Sequence, residues 1–294
     1  MARRWESPGA AAALVFGAAL AVYAPSFSRR PTVEGLLGTL LFALLALLVG
    51  RLLGRLLGDH ADRQQLGPEE RSLLARAALL GGLLFAVHSV HTEVVKQTWR
   101  LPELMAALAY GVALLSHLRW RRNWLVDLVV LPSLYGAGLF SHPSAATLPA
   151  WLLLKTLFME PEHRGALLEA GEARRRALVD LARRYLPLLL VLSVYVAAHG
   201  GLDLPEPRLG ALGVAKLFGQ YVQLWFVPRP STSAAGDGLA YFGVAELTLL
   251  VLLTLRMRDR APLLALGLAT FLITLLPAIH LSGLVGLEER LLLI

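Results

Sequence analysis

The chain has 294 residues, of which 56% are hydrophobic and only 17% are charged, and its mean hydropathy is +0.60. Soluble domains contain about 45–50% apolar and about 25% charged residues, so this composition excludes an ordinary soluble domain. The net charge of +7 does not indicate nucleic-acid binding, because the Arg residues flank apolar runs as they do in membrane proteins. Cysteine is absent, which excludes disulfides and thiolate metal sites.

The apolar runs predict an all-α integral membrane protein with about nine transmembrane helices, which together form one polytopic domain over residues 1–294. Most runs approach the roughly 20 residues that a helix needs to cross a bilayer. Some contain proline, which membrane helices tolerate where neighbouring groups satisfy the freed carbonyl. In chain order the predicted spans are 9–26, 35–57, 73–90, 102–118, 124–141, 145–158, 185–199, 239–256 and 262–280.

The basic residues predict the orientation of these spans. The first span follows Arg3 and Arg4, and we interpret it as a signal-anchor with the N-terminus in the cytoplasm; a cleaved signal peptide is the alternative. If the spans alternate from there, most of the 28 Lys and Arg residues lie on the cytoplasmic side, as the positive-inside rule requires.

Two long segments separate predicted spans. In residues 160–184, Leu167, Leu178 and Leu181 recur near helical spacing while Arg residues occupy other faces. This pattern predicts a cytoplasmic, basic amphipathic helix that lies on anionic headgroups; a solvated helix that only fixes the topology is the alternative. Residues 200–238 are predicted to form an extracytoplasmic loop, part of which is apolar enough to lie in the membrane interface.

The first candidate site lies where the third span ends and the fourth begins. A helix that continued past the third span would gather polar side chains on two faces. If these polar faces lined a cavity, their cationic side chains would bind phosphate, and a carboxylate would act as acid or base. The alternative is a surface pair of Glu93 with Lys96 beside two interfacial histidines, and this HxxH pair alone predicts no metal site. One face carries His88 and His91, and the other carries Glu93, Lys96, Arg100 and Glu103.

Two further polar groups are predicted on the same outer side of the membrane. His142 lies in the tight turn 141–149 between the fifth and sixth spans. Glu289 and Arg290 follow the ninth span. By themselves these groups are a turn and a charge cluster at the membrane edge.

Ionisable residues within predicted spans are functional candidates by default, and Asp127 and Glu246 are two of them. Asp127 lies near the cytoplasmic start of the fifth span, and we expect a structural ion pair with Arg122. Glu246 lies deeper in the eighth span and has no evident partner in the sequence. Its carboxyl group either faces a cavity or stays protonated.

In this order, the polar groups resemble motifs of the transmembrane O-mannosyltransferases that carry tetratricopeptide repeats, and of their bacterial relatives. The most specific match is FAVHSVHTEVV at 85–95, which is similar to the family's His-Pro-x-His-Thr-Glu-Ala-Val block. The turn SHPSAATLP at 141–149 is similar to its Ser-Lys-Glu-x-Ala-x-Thr-Leu-Pro turn, and GLEERLLLI at 286–294 to its segment ending in Glu-Arg-Leu-Tyr-Leu-Pro. The resemblance runs from about residue 30 to residue 294.

The resemblance implies a glycosyltransferase C-like helical bundle in a bacterial inner membrane. It also implies transfer of a sugar, of mannose type, from a polyprenyl-phosphate donor to a protein or glycan acceptor outside the cytoplasm. Such a transfer needs a carboxylate as base and a cation for the leaving phosphate, and no cofactor is specified. The candidate bases are Glu34, Glu93 and Glu103. The candidate substrate-binding residues are His88, His91, Lys96, Arg100, His142, Glu289 and Arg290.

The sequence departs from the family pattern in three places, one of which is Ser89, where the family has a proline after the first histidine. The family's long acidic first outer loop is replaced by YAPSFSRR at 23–30, which contains no acid, and His142-Pro143 stands where the family has Lys-Glu. The second hypothesis is therefore a catalytically inactive membrane scaffold, or a lipid-phosphate-binding protein, derived from this fold. A third is a small transporter that uses Glu246, although no internal repeat is visible in the sequence.

Overall fold

The structure, a computed structural model, describes residues 8–23, 33–88, 101–120, 123–199, 219 and 238–282. These residues are helical between short turns and contain no strand, so the predicted all-α class is confirmed for them. The α-helices are α1 (Pro8–Tyr23), α2 (Val33–Arg63), α3 (Pro68–Val87), α4 (Leu101–Arg119), α5 (Leu131–Ser141), α6 (Leu148–Met159), α7 (Pro161–Leu168), α8 (Glu172–Ala198), α9 (Gly238–Met257) and α10 (Pro262–Ser282).

Three helices in the described part of the chain are long and apolar enough to cross a membrane: Gly35–Arg63 within α2, and the whole of α4 and α8. Shorter apolar helices cover Ala10–Tyr23, Val126–Ser141 and Pro262–Ile273. These helices are consistent with a helical membrane protein. The count of nine spans stays a prediction.

The chain divides into two compact units. Unit 1 comprises Met1–Ala146 and Val179–Leu192, so it contains α1 to α5 and the central part of α8. Unit 2 comprises Thr147–Leu178 and Ser193–Ile294, which include α6, α7, α9 and α10.

The core of unit 1 is built where α1, α2, α3 and α4 pack together. Tyr23 meets the edge of Phe42 with ring centroids 5.0 Å apart, and Phe42 stacks on Phe85 at 5.8 Å. Ala86 and Leu104 belong to the same buried cluster. Because these residues lie at the end of α1, the end of α3 and the start of α4, the cluster brings those three helix ends together.

A close approach of three helices depends on Gly82 in α3. A Cβ atom on this residue would lie 3.1 Å from the Cα atom of Gly50 in α2 and 3.1 Å from Val15 in α1. Small residues at such positions allow the backbones of membrane helices to pack closely without a side chain between them.

Residues 160–184 do not form the single amphipathic helix that the spacing predicts. Helix α7 ends at Leu168, and α8 begins at Glu172 after Gly171, whose φ of +86° favours glycine. Helix α8 then continues to Ala198 through Pro187, so its basic first half and the predicted seventh span are one helix. On the predicted apolar face, Leu178 is 48% exposed, as a side chain that contacts headgroups would be, whereas Ala177 and Arg184 are buried. The membrane contact of this face stays a prediction.

In unit 2, α6 is held to α10 by Trp151, whose indole N–H donates to the Thr270 hydroxyl at 2.8 Å. The side chain of Lys155 is fully buried and pairs with Glu160 at the end of α6. Arg164 in α7 pairs with Asp259 in the turn between α9 and α10, with an N–O distance of 2.8 Å. These contacts tie α6 and α7 to the hairpin of α9 and α10.

Candidate functional site

The structure describes only part of the predicted outer site. Glu103 lies in the first turn of α4, His142 follows the end of α5, and His88 follows the end of α3. Glu34 lies in the first turn of α2, where only the backbone is described. The predicted residues that lie outside the described part are His91, Glu93, Lys96, Arg100, Glu289 and Arg290, together with almost all of the 200–238 loop.

The backbone turns sharply at His142 and presents its side chain toward α4. Helix α5 ends as the His142 N–H donates to the Gly138 carbonyl at 2.9 Å, and His142 itself is extended. A 3-10 turn, Pro143–Thr147, follows and leads directly into α6. A Cβ atom on Gly138 would lie 3.1 Å from the Ala145 Cβ and 3.6 Å from the Ala106 carbonyl oxygen, so this glycine keeps α5 close to both the turn and α4.

This close packing brings Glu103 and His142 together. The His142 Nε2 atom lies 3.9 Å from the Glu103 Oε1 atom, and the side chains are 24% and 29% exposed respectively. The structure thus joins a residue of the first polar group with the residue of the second. Both remain within reach of a ligand, since neither side chain is fully buried.

The other ring nitrogen of His142 contacts Ser144. The Ser144 hydroxyl lies 2.8 Å from Nδ1, and the Ser144 backbone N–H donates to the same nitrogen at 3.3 Å. No role was predicted for Ser144. Its position two residues after a histidine in a tight turn was nevertheless an indication, because a serine there lies within reach of the imidazole.

His88 lies at the same end of unit 1 as Glu103. Its carbonyl oxygen accepts a hydrogen bond from the Tyr23 hydroxyl at 3.0 Å, which joins the end of α1 to the end of α3. Ala86 and Leu104, next to His88 and Glu103 in the sequence, share one buried cluster. The ends of four helices, α1, α3, α4 and α5, therefore meet around this part of the predicted site.

The opposite end of α4 and α5 carries a second polar cluster, whose His117 and Asp127 side chains are buried. Asp127 is 2% exposed and accepts a hydrogen bond from the Arg183 guanidinium at 3.1 Å. His117, at the end of α4, places Nδ1 4.0 Å from the Asp127 carboxylate. Asp180 pairs with Arg183 at 3.2 Å and with Arg184 at 2.7 Å. We name these five residues the inner ion network.

The inner ion network differs from the expected pair of Asp127 with Arg122, a residue outside the described part of the chain. Asp127 lies in a π-helical turn, Val126–Val130, which is followed by Pro132. Proline has no N–H to donate, and π-turns of this kind are frequent at functional sites. The Arg183 partner lies far away in the sequence, so spacing along the chain could not reveal it.

Glu246 lies in unit 2, on α9, and its side chain is partly exposed. Its Oε2 atom is buried and has no hydrogen-bond partner among the residues that the structure describes. No group of three or more His, Asp or Glu side chains able to hold a metal ion occurs in that part of the chain either.

No protein-family model matches this chain, and neither a curated protein nor a solved structure is similar to it. Support for a function therefore comes from the sequence motifs and from the geometry around Glu103 and His142.

Proposed function

We propose that this chain is a membrane glycosyltransferase that takes a mannose-type sugar from a polyprenyl-phosphate donor. Its acceptor is a protein or glycan on the outer side of a bacterial inner membrane. The proposal includes the nine spans of a glycosyltransferase C-like bundle and a cytoplasmic N-terminus. The apolar helices α2, α4 and α8, the distribution of Arg residues and the His-Thr-Glu resemblance support it.

The observation that carries this proposal is the proximity of Glu103 and His142, at 3.9 Å and partly open to solvent. Glycosyl transfer needs a carboxylate that removes the proton of the acceptor hydroxyl, and it must be oriented by neighbouring groups. The short loop at 23–30 lacks an acid, so the base has to come from another segment. Of the three candidate carboxylates, Glu103 is the one with a described side chain, and it faces a histidine.

In the proposed step, the acceptor hydroxyl loses its proton to the Glu103 carboxylate. The acceptor oxygen forms a bond to the anomeric carbon, and the bond from that carbon to the donor phosphate oxygen breaks. Polyprenyl phosphate leaves with the electron pair, and Lys96, Arg100 and Arg290 stabilise its charge. Glu34 and Glu93 are the competing candidates for the base.

Membrane lipids are the second class of partner in this proposal. Arg174, Arg175 and Arg176 are exposed in the first turns of α8, a helix that is apolar enough to cross a membrane farther on. Basic residues beside a membrane-crossing segment are attracted to anionic headgroups, with about 1 kcal/mol for each residue near the surface.

The missing acid in the 23–30 loop favours a second candidate function, a catalytically inactive scaffold that binds lipid phosphate. This candidate and the enzyme share the donor lipid but differ in turnover. A measurement that separates lipid binding from sugar release therefore decides between them.

The test uses the full chain in nanodiscs, with a synthetic polyprenyl-phosphate mannose as probe. With hydroxyl-bearing peptides and glycans supplied as acceptors, release of polyprenyl phosphate measures turnover, and fluorescence competition measures binding. We expect Glu103→Gln to lower turnover by about 10²- to 10⁴-fold with binding nearly unchanged, as removal of a general base does. The matched control is Glu69→Gln, an exposed change at the start of α3 that should alter neither property.

Each other outcome is also decisive. Binding without turnover by the parent protein establishes the scaffold and rejects the enzyme. Turnover that survives Glu103→Gln but not Glu93→Gln or Glu34→Gln moves the base to one of those residues. If the parent protein does not bind the lipid at all, both candidate functions are rejected.

A further inference from the structure

We propose that Ser144 locks His142 in a single tautomer, with the ring proton on Nε2 facing Glu103. Ser144 is then a positioning residue, and Ser144, His142 and Glu103 form a relay that orients the carboxylate. The catalytic part of this inference rests on the proposed function. The tautomer itself does not, and it can be measured without any substrate.

The backbone N–H of Ser144 lies 3.3 Å from Nδ1 of His142 and donates to it. A backbone N–H can only donate, so Nδ1 has to accept with its lone pair. In a neutral imidazole the proton then resides on the other nitrogen, Nε2. The Ser144 hydroxyl, 2.8 Å from the same Nδ1, adds a second and shorter donor.

Backbone hydrogen bonds fix the turn that contains His142 and Ser144. The His142 N–H donates to Gly138 at 2.9 Å, and the His142 carbonyl accepts from the Ala145 N–H at 3.2 Å. The backbone on both sides of the imidazole is therefore fixed by hydrogen bonds. Because Ser144 lies inside this turn, its two donors keep their position relative to the ring.

The other ring nitrogen of His142, Nε2, lies 3.9 Å from the Glu103 carboxylate. This distance is about 0.7 Å longer than the upper limit of a direct hydrogen bond, so a small closing motion would bring the two groups within range. Catalytic hydrogen bonds are often long before substrate binds and shorten in the complex. An Nε2–H in this position orients the Glu103 carboxylate, whereas an Nδ1–H tautomer would present a lone pair to it and repel it.

The same chain contains a histidine with the opposite expected tautomer. At the end of α8, Nδ1 of His199 lies 2.9 Å from the carbonyl oxygen of Tyr195. A carbonyl oxygen can only accept, so Nδ1 of His199 has to carry the proton. His199 therefore serves as an internal reference for His142, with the proton on the other nitrogen.

The experiment is nitrogen NMR of the full-length protein, labelled with ¹⁵N-histidine and reconstituted in nanodiscs at alkaline pH, where imidazole is neutral. His142→Gln and His199→Gln assign the two residues among the eight histidines of the chain. We expect His142 to be Nε2–H alone and His199 to be Nδ1–H alone. A parent His142 with its proton on Nδ1, or a mixture of tautomers, overturns the proposal.

Variants of Ser144 test its part in the lock. Ser144→Ala keeps the long backbone contact of 3.3 Å but loses the shorter hydroxyl contact of 2.8 Å, which is the stronger of the two donors. We therefore expect Ser144→Ala to give His142 a detectable second tautomer, while Ser144→Thr, which keeps the hydroxyl, restores the single one. The matched control is Ser141→Ala, because the Ser141 hydroxyl donates to its own helix at Ala137 and not to the imidazole. An unchanged tautomer in Ser144→Ala would overturn the role of Ser144 even if the parent tautomer is as expected.

If the protein turns over the donor, the same variants show whether Ser144 orients His142 for catalysis or only stabilises the fold. Ser144→Ala should lower kcat about tenfold, the effect of one lost hydrogen bond, with KM nearly unchanged. Ser144→Thr should recover most of that loss. A locked tautomer in a protein without turnover rejects the proposed function alone, and turnover with a mixed tautomer rejects this inference alone.

Discussion

The two ends of the α4 and α5 pair each place a histidine beside a carboxylate, yet the two pairs lie in very different surroundings. At one end, His142 and Glu103 are 24% and 29% exposed and lie beside a serine hydroxyl. At the other end, His117 and Asp127 are 5% and 2% exposed and belong to the inner ion network.

The difference separates a structural role from a functional one. A buried carboxylate is stable only when cations and hydrogen bonds compensate its desolvation, and Arg183 supplies that compensation for Asp127. Such a network fixes the position of α8 against the start of α5. The pair of Glu103 and His142 keeps access to solvent, which a reacting group requires.

The largest expected effect comes from the inner ion network. We expect Asp127→Ala to lower the free energy of unfolding by about 1.5–3 kcal/mol, because it removes the buried carboxylate that Arg183 and His117 contact, while Arg183 keeps its pair with Asp180. Denaturant unfolding of the purified protein in detergent, followed by tryptophan fluorescence, measures this change.

Glu103→Gln is the matched variant at the other end, and it should cost less than about 1 kcal/mol, as partly exposed pairs do. Asp62→Asn, which removes the exposed pair with Arg71, provides a second reference of the same small size. Equal destabilisation by Asp127→Ala and Glu103→Gln would contradict the distinction between the two ends.

A smaller effect is expected at Gly138, which holds the helix pair together at the end that carries His142 and Glu103. A larger side chain there would meet Ala145 and the backbone of Ala106, so Gly138→Val should cost about 1–3 kcal/mol through overpacking. It should also separate His142 from Glu103 and leave the inner ion network in place. Thermal unfolding measures the cost, and the His142 nitrogen shifts report on the outer pair.

Gly17→Ala is the control for this variant, since a Cβ atom at Gly17 in α1 would meet nothing within 4 Å. Alanine favours helix over glycine by up to about 1 kcal/mol, so this change should be neutral or stabilising. If Gly17→Ala lost as much stability as Gly138→Val, the cost would come from adding a side chain to any helical glycine and not from the close packing at Gly138.

The fold class was predictable from the sequence because long apolar runs admit few structures other than helices. The boundaries of α8 were not, since the helix begins after Gly171 within the amphipathic pattern and continues through Pro187 into the predicted seventh span. The buried Lys155 was also missed, because its partner Glu160 stabilises it through a turn at the end of α6. Tertiary contacts decide such cases, and local patterns do not contain them.

The candidate site was predictable only in part. Helical spacing grouped Glu103 with residues of its own segment, whereas the structure sets it beside His142, a residue from another turn. The resemblance in motif order was the signal that placed both on one side of the membrane. The tautomer of His142 depends on the direction of one backbone N–H in the 3-10 turn, which no residue pattern specifies.

The smallest expected effect lies in unit 2, at an exposed ion pair that provides a reference for both ends of the helix pair. The hydrogen bond from Arg164, together with the nearby Arg258, lowers the pKa of Asp259 below its ordinary value of 3.8. A carboxylate with a lowered pKa stabilises the fold above that ordinary value, and the contribution is lost as the pH falls through the folded-state pKa. The difference in Tm between the parent and Asp259→Asn should therefore be small at neutral pH, begin to decrease near pH 3.8 and vanish only below the lowered folded-state pKa. Glu162→Gln removes a carboxylate from the same helix as Arg164 but keeps the ion pair, so this variant should retain the acid dependence of the parent. A difference that persists unchanged in acid would mean that Asp259 stabilises unit 2 by its packing and not by its charge.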